Sequence, residues 1–149
     1  MKREILLVPH ANRQENLRAT SRAAELLQDA GITVRVCADD KVLPGLKHVP
    51  HTENAAAGCE LVLVLGGDGT FLRAADMARA VDIPVLGINL GHVGFLAEWE
   101  VESLDQALVR VIEKRYRIED RLTIDVSIFD EEGTLLNRSW ALNEASVEN

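Results

Sequence analysis

Gly66-Gly67-Asp68-Gly69-Thr70 is the stretch whose residue types could do chemistry. Three glycines take Cβ atoms off the main chain, so backbone N–H groups can approach an anion and form a phosphate-binding concavity. Asp68 sets a carboxylate in the middle of that cradle. A carboxylate repels phosphate, so its work must be different: accepting a hydroxyl proton or binding a metal ion. A glycine loop with a central acid points to phosphoryl transfer. The same five residues fit an ordinary strand-to-helix turn equally well, since Gly-Asp-Gly is common there. They are not a Walker loop, because no Gly-Lys-Ser/Thr follows, and the glycine spacing is not the dinucleotide fingerprint.

Elements on either side must hold this loop. Leu61 to Leu65 run apolar without a polar break, which predicts a strand buried on both faces, as in a parallel sheet flanked by helices. A helix is expected from about Thr70 to Ala80, with Phe71, Ala75, Ala78 and Val81 on its buried face. Upstream, residues 4–8 predict a first strand ended by Pro9. Asn12 with Glu15 resembles a capping box opening a helix to about Ala30, and Gly31 stops it. Residues 32–38 predict a second strand, while 39–59, with Pro44, Gly45, Pro50 and Gly58, are expected to be mostly loop. Downstream, 84–89 predict a buried strand, and Ser103 with Gln106 caps a helix to about Lys114 with the stripe Leu104, Ala107, Leu108, Val111 and Ile112. This alternation predicts an α/β fold: a parallel, doubly wound, Rossmann-like sheet with right-handed crossovers.

After Arg115 the pattern changes. Residues 121–129 alternate apolar and polar, 130–133 turn, and 134–142 form a return strand, an antiparallel hairpin. The expected organisation is an α/β domain over 1–117 and the beginning of a β-rich domain over 118–149. A lone hairpin cannot bury its own face, so truncation inside a larger protein is expected.

A net charge of −8 with no Lys/Arg cluster argues against nucleic acid as a partner. Small anions remain suitable ligands, because a glycine loop supplies local positive potential. No apolar run approaches the roughly 20 residues needed to span a bilayer, so no membrane partner is expected. Cys37 and Cys59 lack metal-ligand spacing and read as buried thiols in a reducing cytoplasm. His48 and His51 read as exposed, and His10 and His92 as loop histidines without an assigned role.

A second glycine cluster, Gly87, Gly91 and Gly94, also follows a buried strand, and ligands of open α/β sheets sit beyond the strands' carboxyl ends. Both clusters should therefore line one crevice. A third element, Asn143-Glu144, comes directly after the last hairpin strand. Together GGDGT, the Gly-x-Asn-x-Gly-x-x-Gly-Phe-Leu segment over 87–96 and Leu-Asn-Glu ending at Glu144 resemble the NAD kinases. GGDGT alone is shared with diacylglycerol-type lipid kinases and 6-phosphofructokinases. The 87–96 segment is the more specific match. Arg117-Ile-Glu-Asp-Arg-Leu and Ala141-Leu-Asn-Glu are similar to bacterial NAD kinases, including actinobacterial ones.

The resemblance implies phosphorylation of the adenosine ribose 2′-hydroxyl of NAD to give NADP, with ATP or polyphosphate as donor and Mg²⁺ or another divalent metal. It makes Asp68 the catalytic proton acceptor, and an ordinary aspartate is ionised at neutral pH. Gly66, Gly67, Gly69 and Thr70 would hold phosphates. Asp68, Gly69, Arg73, Phe95, Asn143 and Glu144 would bind NAD, with Phe95 packing against adenine and Asn143 and Glu144 taking ribose hydroxyls or base. No metal ligand is assigned. The family's Thr/Ser/Gly-rich segment is missing from these residues, which implies that activity needs more chain. Homodimers or homotetramers are expected of the full-length protein. A lipid or sugar kinase of the same superfamily, or a nucleotide-binding fragment without turnover, is the alternative.

Overall fold

A computed structural model of the chain describes residues 2–9, 14–37, 45–66, 68–89, 99–100, 104–118, 123–129 and 131–142. These fall into two units, Met1–Tyr116 and Arg117–Asn149.

Six strands make one all-parallel sheet in the first unit: β1 (Glu4–Pro9), β2 (Thr33–Cys37), β3 (Lys47–Val49), β4 (Leu61–Leu65), β5 (Val85–Asn89) and β6 (Trp99–Glu100). Their spatial order is β3-β2-β1-β4-β5-β6. The chain thus works outward from β1 on one side, then returns to place β4 on β1's other side. That reversal is a topological switch point, beside which ligands of doubly wound sheets bind.

Alternation along the strands sorts the core into two layers. Ile5, Leu7, Val34, Val36, Leu61, Leu63, Leu65 and Ile88 share one cluster with Ala23, Ala24 and Leu27 of α1 (Gln14–Asp29) and Leu104, Ala107, Leu108 and Val111 of α3 (Leu104–Ile112). The register pairs Leu6 with Val62 and Val8 with Val64, so these four take the opposite face. There α2 (Asp68–Ala80) packs through Phe71, Ala74, Met77 and Ala78, and the Cys37 thiol lies 3.8 Å from the Met77 sulfur. Helices on both faces explain why β4 has no polar position to spare. Both cysteines are buried and free, and burial pushes the Cys59 thiol's pKa up, keeping it protonated.

All three helices end in the same hydrogen-bonded motif. Gly31 N–H donates to Gln28 O at 2.9 Å and Ile32 N–H to Leu27 O at 3.0 Å. Asp82 and Lys114 occupy Gly31's place after α2 and α3, with φ of 55° and 57° where Gly31 has 83°. Left-handed backbone costs a side-chain-bearing residue about 1 kcal/mol, which Gly31 avoids.

Several expectations need correction. Within residues 39–59, expected to be mostly loop, Lys47–Val49 adds the short strand β3, pairing Arg35 with Lys47. The helix carrying the glycine motif starts at Asp68, two residues before Thr70. Its buried face includes Ala74 and Met77, whereas Ala75 and Val81 are only half-buried. The proposed cap Asn12 and the cap Ser103 lie outside the described residues.

The second unit contains the hairpin β7 (Thr123–Phe129) and β8 (Leu135–Leu142), antiparallel, with register running from Thr123↔Leu142 to Phe129↔Leu135. A register irregularity falls between Ile128 and Phe129, and Gly133 supplies a φ of 87° at the turn. Among the described residues no helix is long and apolar enough to cross a membrane.

Candidate functional site

Four strands stop in one row. Pro9 is paired with Leu65, Leu65 with Ile88 and Ile88 with Trp99, so β1, β4, β5 and β6 reach the carboxyl-terminal edge of the sheet together. Both glycine-rich segments leave the sheet from this edge, one after Leu65 and one after Asn89. The switch point lies between β1 and β4, so the GGDGT segment begins beside it.

Gly66 prolongs the sheet by one residue: it is buried, and its N–H donates to Ile88 O at 3.1 Å. That donor is therefore engaged within the chain. Two residues later α2 begins, and Asp68, Gly69 and Thr70 form its first turn. The first four N–H groups of a helix have no partner inside it, and the helix dipole adds partial positive charge at that end. A strand, one or two glycines and a helix N-terminus make an arrangement that accepts phosphate. The donors it offers belong to the helix turn, not to Gly66.

Gly69 is the informative residue of that turn. Its φ is not positive, and a Cβ built on it would meet nothing within 4 Å. Neither backbone conformation nor internal packing demands glycine. In a helix the residue costs about 0.5–1 kcal/mol relative to alanine. Among the described residues the space in front of it is open and exposed, so the backbone there is accessible from outside.

Three further residues share this end of α2. Thr70 and Arg73 are half-buried, and Arg73 stands one turn after Gly69 and Thr70. Leu72 is exposed at 42%, one turn after Asp68 and Gly69. Sequence reasoning passed over Leu72. The available signal was that it lies off the stripe of Phe71, Ala74 and Ala78, an apolar side chain on the helix's solvent side. Gly67, Gly91, Gly94, Phe95, Asn143 and Glu144, with His10 and His92, lie outside the described residues, so the structure unites Gly66, Asp68, Gly69, Thr70 and Arg73.

Charge is organised at the other end of the sheet. Arg3 forms a two-pronged pair with Glu60, at 2.9 and 2.5 Å, and donates to Ile112 O at 2.8 Å and Val111 O at 3.0 Å. Glu60 raises the Arg3 pKa further. Glu4 receives hydrogen bonds from Arg35 and from Lys47 at 3.1 Å, while Arg35 also donates to Ala55 O at 3.0 Å and Ala57 O at 2.6 Å. Burial alone would raise the Glu4 pKa, but the two cationic partners outweigh it and hold the carboxyl below its ordinary range. An open recess lined by Lys2, Gln28, Gly45 and Lys47 also lies at this end, away from the glycine loop, and its Lys47 is already engaged by Glu4.

No group of three or more His, Cys, Asp or Glu suited to a metal occurs among the described residues. A magnesium ion carried by donor phosphates needs only one or two protein carboxylates.

Residues 5–116 match the profile of the ATP-NAD kinase N-terminal domain. NAD kinase from Corynebacterium efficiens is 58% identical over 155 residues, covering 99% of this chain and 49% of that protein. The Corynebacterium glutamicum NAD kinase is 63% identical over 135 residues, covering 85% of this chain and 46% of that protein. Among solved structures, yeast NADH kinase complexed with NADH superposes with a TM-score of 0.73 at 18% identity, covering 94% of this chain and 46% of that one. The last match concerns the fold alone. The chain spans about half the length of the curated relatives it matches. With the strand–glycine–helix corner in place and the profile covering residues 5–116, the chain belongs to the NAD kinase family.

Proposed function

We propose that this chain carries the phosphate-handling part of an NAD kinase, which transfers a phosphoryl group from ATP or polyphosphate to the adenosine ribose 2′-hydroxyl of NAD, giving NADP. The observation that carries this reading is Gly69, whose glycine identity no described residue requires, in the first turn of a helix leaving the switch point. In this reading residues 1–117 handle nucleotide phosphates and 118–149 begin a β-rich domain that completes the NAD site.

Phosphoryl transfer demands positioning and charge neutralisation more than covalent chemistry. The N–H groups of residues 68–70, which precede the first intrahelical bond, would orient a phosphate chain, with Thr70 adding a hydroxyl. Asp68 would orient the ribose 2′-hydroxyl and take its proton as the bond to phosphorus forms. Arg73 would pair with the dinucleotide's pyrophosphate, and Leu72 would offer apolar surface to a ring. Phe95, Asn143 and Glu144 would hold adenine and ribose. A divalent cation would neutralise charge on the donor phosphates, and Asp68 is the acidic residue of the glycine motif that could help hold it. The full-length protein would work in the cytoplasm as a homodimer or homotetramer.

The test is NADP formation from NAD, ATP and Mg²⁺ by the full-length protein and its Asp68→Asn variant. Loss of about 100- to 10,000-fold in kcat with an unchanged melting temperature is expected. Equal rates would remove Asp68 from the reaction. Absence of NADP with both ATP and polyphosphate would overturn the kinase reading. The yeast structure holds NADH, so NADH is the second acceptor to try.

A further inference from the structure

Arg3 has more to do than pair with Glu60. Four of its hydrogen bonds are resolved, two to the Glu60 carboxylate and two to the last carbonyls of α3, Val111 O and Ile112 O. The end of α3 already has its own closure, since Lys114 N–H donates to Val111 O at 3.1 Å and Arg115 N–H to Arg110 O at 2.8 Å. Val111 O is thus held twice, from inside the helix and from Arg3, the residue before β1. Lys114 meanwhile sits at φ 57°, a left-handed conformation that a lysine adopts only where its surroundings dictate it. Two residues on, Tyr116 is the last residue of the first unit. Its phenol feels burial first and the Glu60 carboxylate second, both pushing its pKa up. A clamp, a helix closure and a strained residue therefore coincide within five residues of the point where the chain passes to the second unit.

We propose that Arg3 is a positioning residue: with Glu60 it pins the carboxyl end of α3 and so fixes the path by which the chain leaves the α/β unit. The fork of the guanidinium suits this, because it engages a carboxylate two-pronged and still reaches two carbonyls. The pair is about four-fifths removed from solvent, at 23% and 20% exposure, so water competes poorly for it. Its consequence for turnover rests on the kinase reading, in which Asn143 and Glu144 belong to the substrate-binding set. A misplacement of about 1 Å in such a set costs on the order of 100-fold in rate.

Native-state trypsin digestion of the full-length protein tests the anchor directly. Trypsin can cut after Lys114, Arg115 and Arg117, all exposed, and fragment masses identify each cut. In Arg3→Ala and Glu60→Gln, cleavage after Arg115 and Arg117 should quicken at least about tenfold, while cleavage after Lys47 and Arg79 stays within about twofold of wild type. Lys114→Gly, which relieves strain and leaves the clamp intact, should keep the wild-type rate after Arg115 and Arg117. Glu60→Gln preserves shape and carries the comparison if Arg3→Ala does not fold. Unchanged cleavage after Arg115 and Arg117 overturns the proposal, and so does a rise that is equal at Lys47 and Arg79. In kinase assays the two clamp variants should lose kcat while retaining their folded fraction. If the digestion pattern appears but wild type makes no NADP, the anchor stands and the kinase reading falls.

Discussion

At the amino-terminal end of the sheet, Arg3 and Arg35 donate to carboxylates and carbonyls of their own chain. At the carboxyl-terminal end, Gly66 gives one N–H to Ile88 and the first turn of α2 keeps its own donors. The first end engages carboxylates and carbonyls of its own chain through long side chains. The second ends its strands in a common row, and β4 continues there into a glycine-rich segment. Charges satisfied within the chain hold the fold together, whereas backbone donors without internal partners are available to a ligand. In the proposed reading, the two ends divide stability and binding between them.

Substitutions at each end should therefore separate the two properties. The largest effect belongs to Asp68→Asn, where a loss of about 100- to 10,000-fold in kcat should leave the unfolding free energy nearly unchanged. A matching loss of stability would mean that this corner is structural after all. Arg35→Ala should do the reverse. It removes one of Glu4's two cationic partners, in a pair only 10% and 19% exposed, and leaves Lys47 to hold the carboxylate, so a cost of about 1–3 kcal/mol is expected. Urea unfolding at constant m-value would measure that cost, and the folded enzyme should retain its kcat. A fall of less than about 1 kcal/mol would show that water replaces the pair.

Gly69→Ala sharpens the contrast within a single residue. Stability should rise by about 0.5–1 kcal/mol, because alanine favours the helix and its Cβ meets open space. Turnover should fall about tenfold, because that space is where a ligand would approach. A variant gaining stability at full activity would empty the proposed subsite. The smallest effect is acid sensitivity at Glu4. Its folded pKa is depressed, so its contribution is present above the unfolded value of about 4.3 and is lost as pH falls through the lower folded value. The melting-temperature gap between wild type and Glu4→Gln should accordingly be constant near neutrality and close below about pH 4. A gap independent of pH down to pH 3 would contradict that account.

Legibility in the sequence followed apolar patterning. Leu61–Leu65, a five-residue apolar run, is β4, and the stripe Leu104, Ala107, Leu108 and Val111 is the buried face of α3. Lys47-His48-Val49 carries no such pattern, with two of three residues exposed, and becomes β3 only by pairing with β2. Trp99–Glu100 is likewise a strand because β5 lies beside it. The start of α2 was misplaced because Asp68 and Gly69 look like turn residues, and a buried Phe71 with the core beneath it draws them into the helix. Choosing Ala74 over Ala75 for the buried face depended on how α2 lies on β4, which two alanines cannot encode.

By itself the sequence determined which segments are apolar enough to be strands, where Gly31 stops a helix, and that Asp68 stands among glycines after a buried strand. Those are local properties, set by side-chain volume, polarity and backbone freedom along the chain. Only the tertiary structure decided that β4 lies beside β1, that four strands end in one row, and that Gly66 and Gly69 play different parts. It also brought Arg3 to carbonyls more than a hundred residues away. Such pairings arise from strand order and helix packing, which bring distant residues together only when the whole sheet has formed.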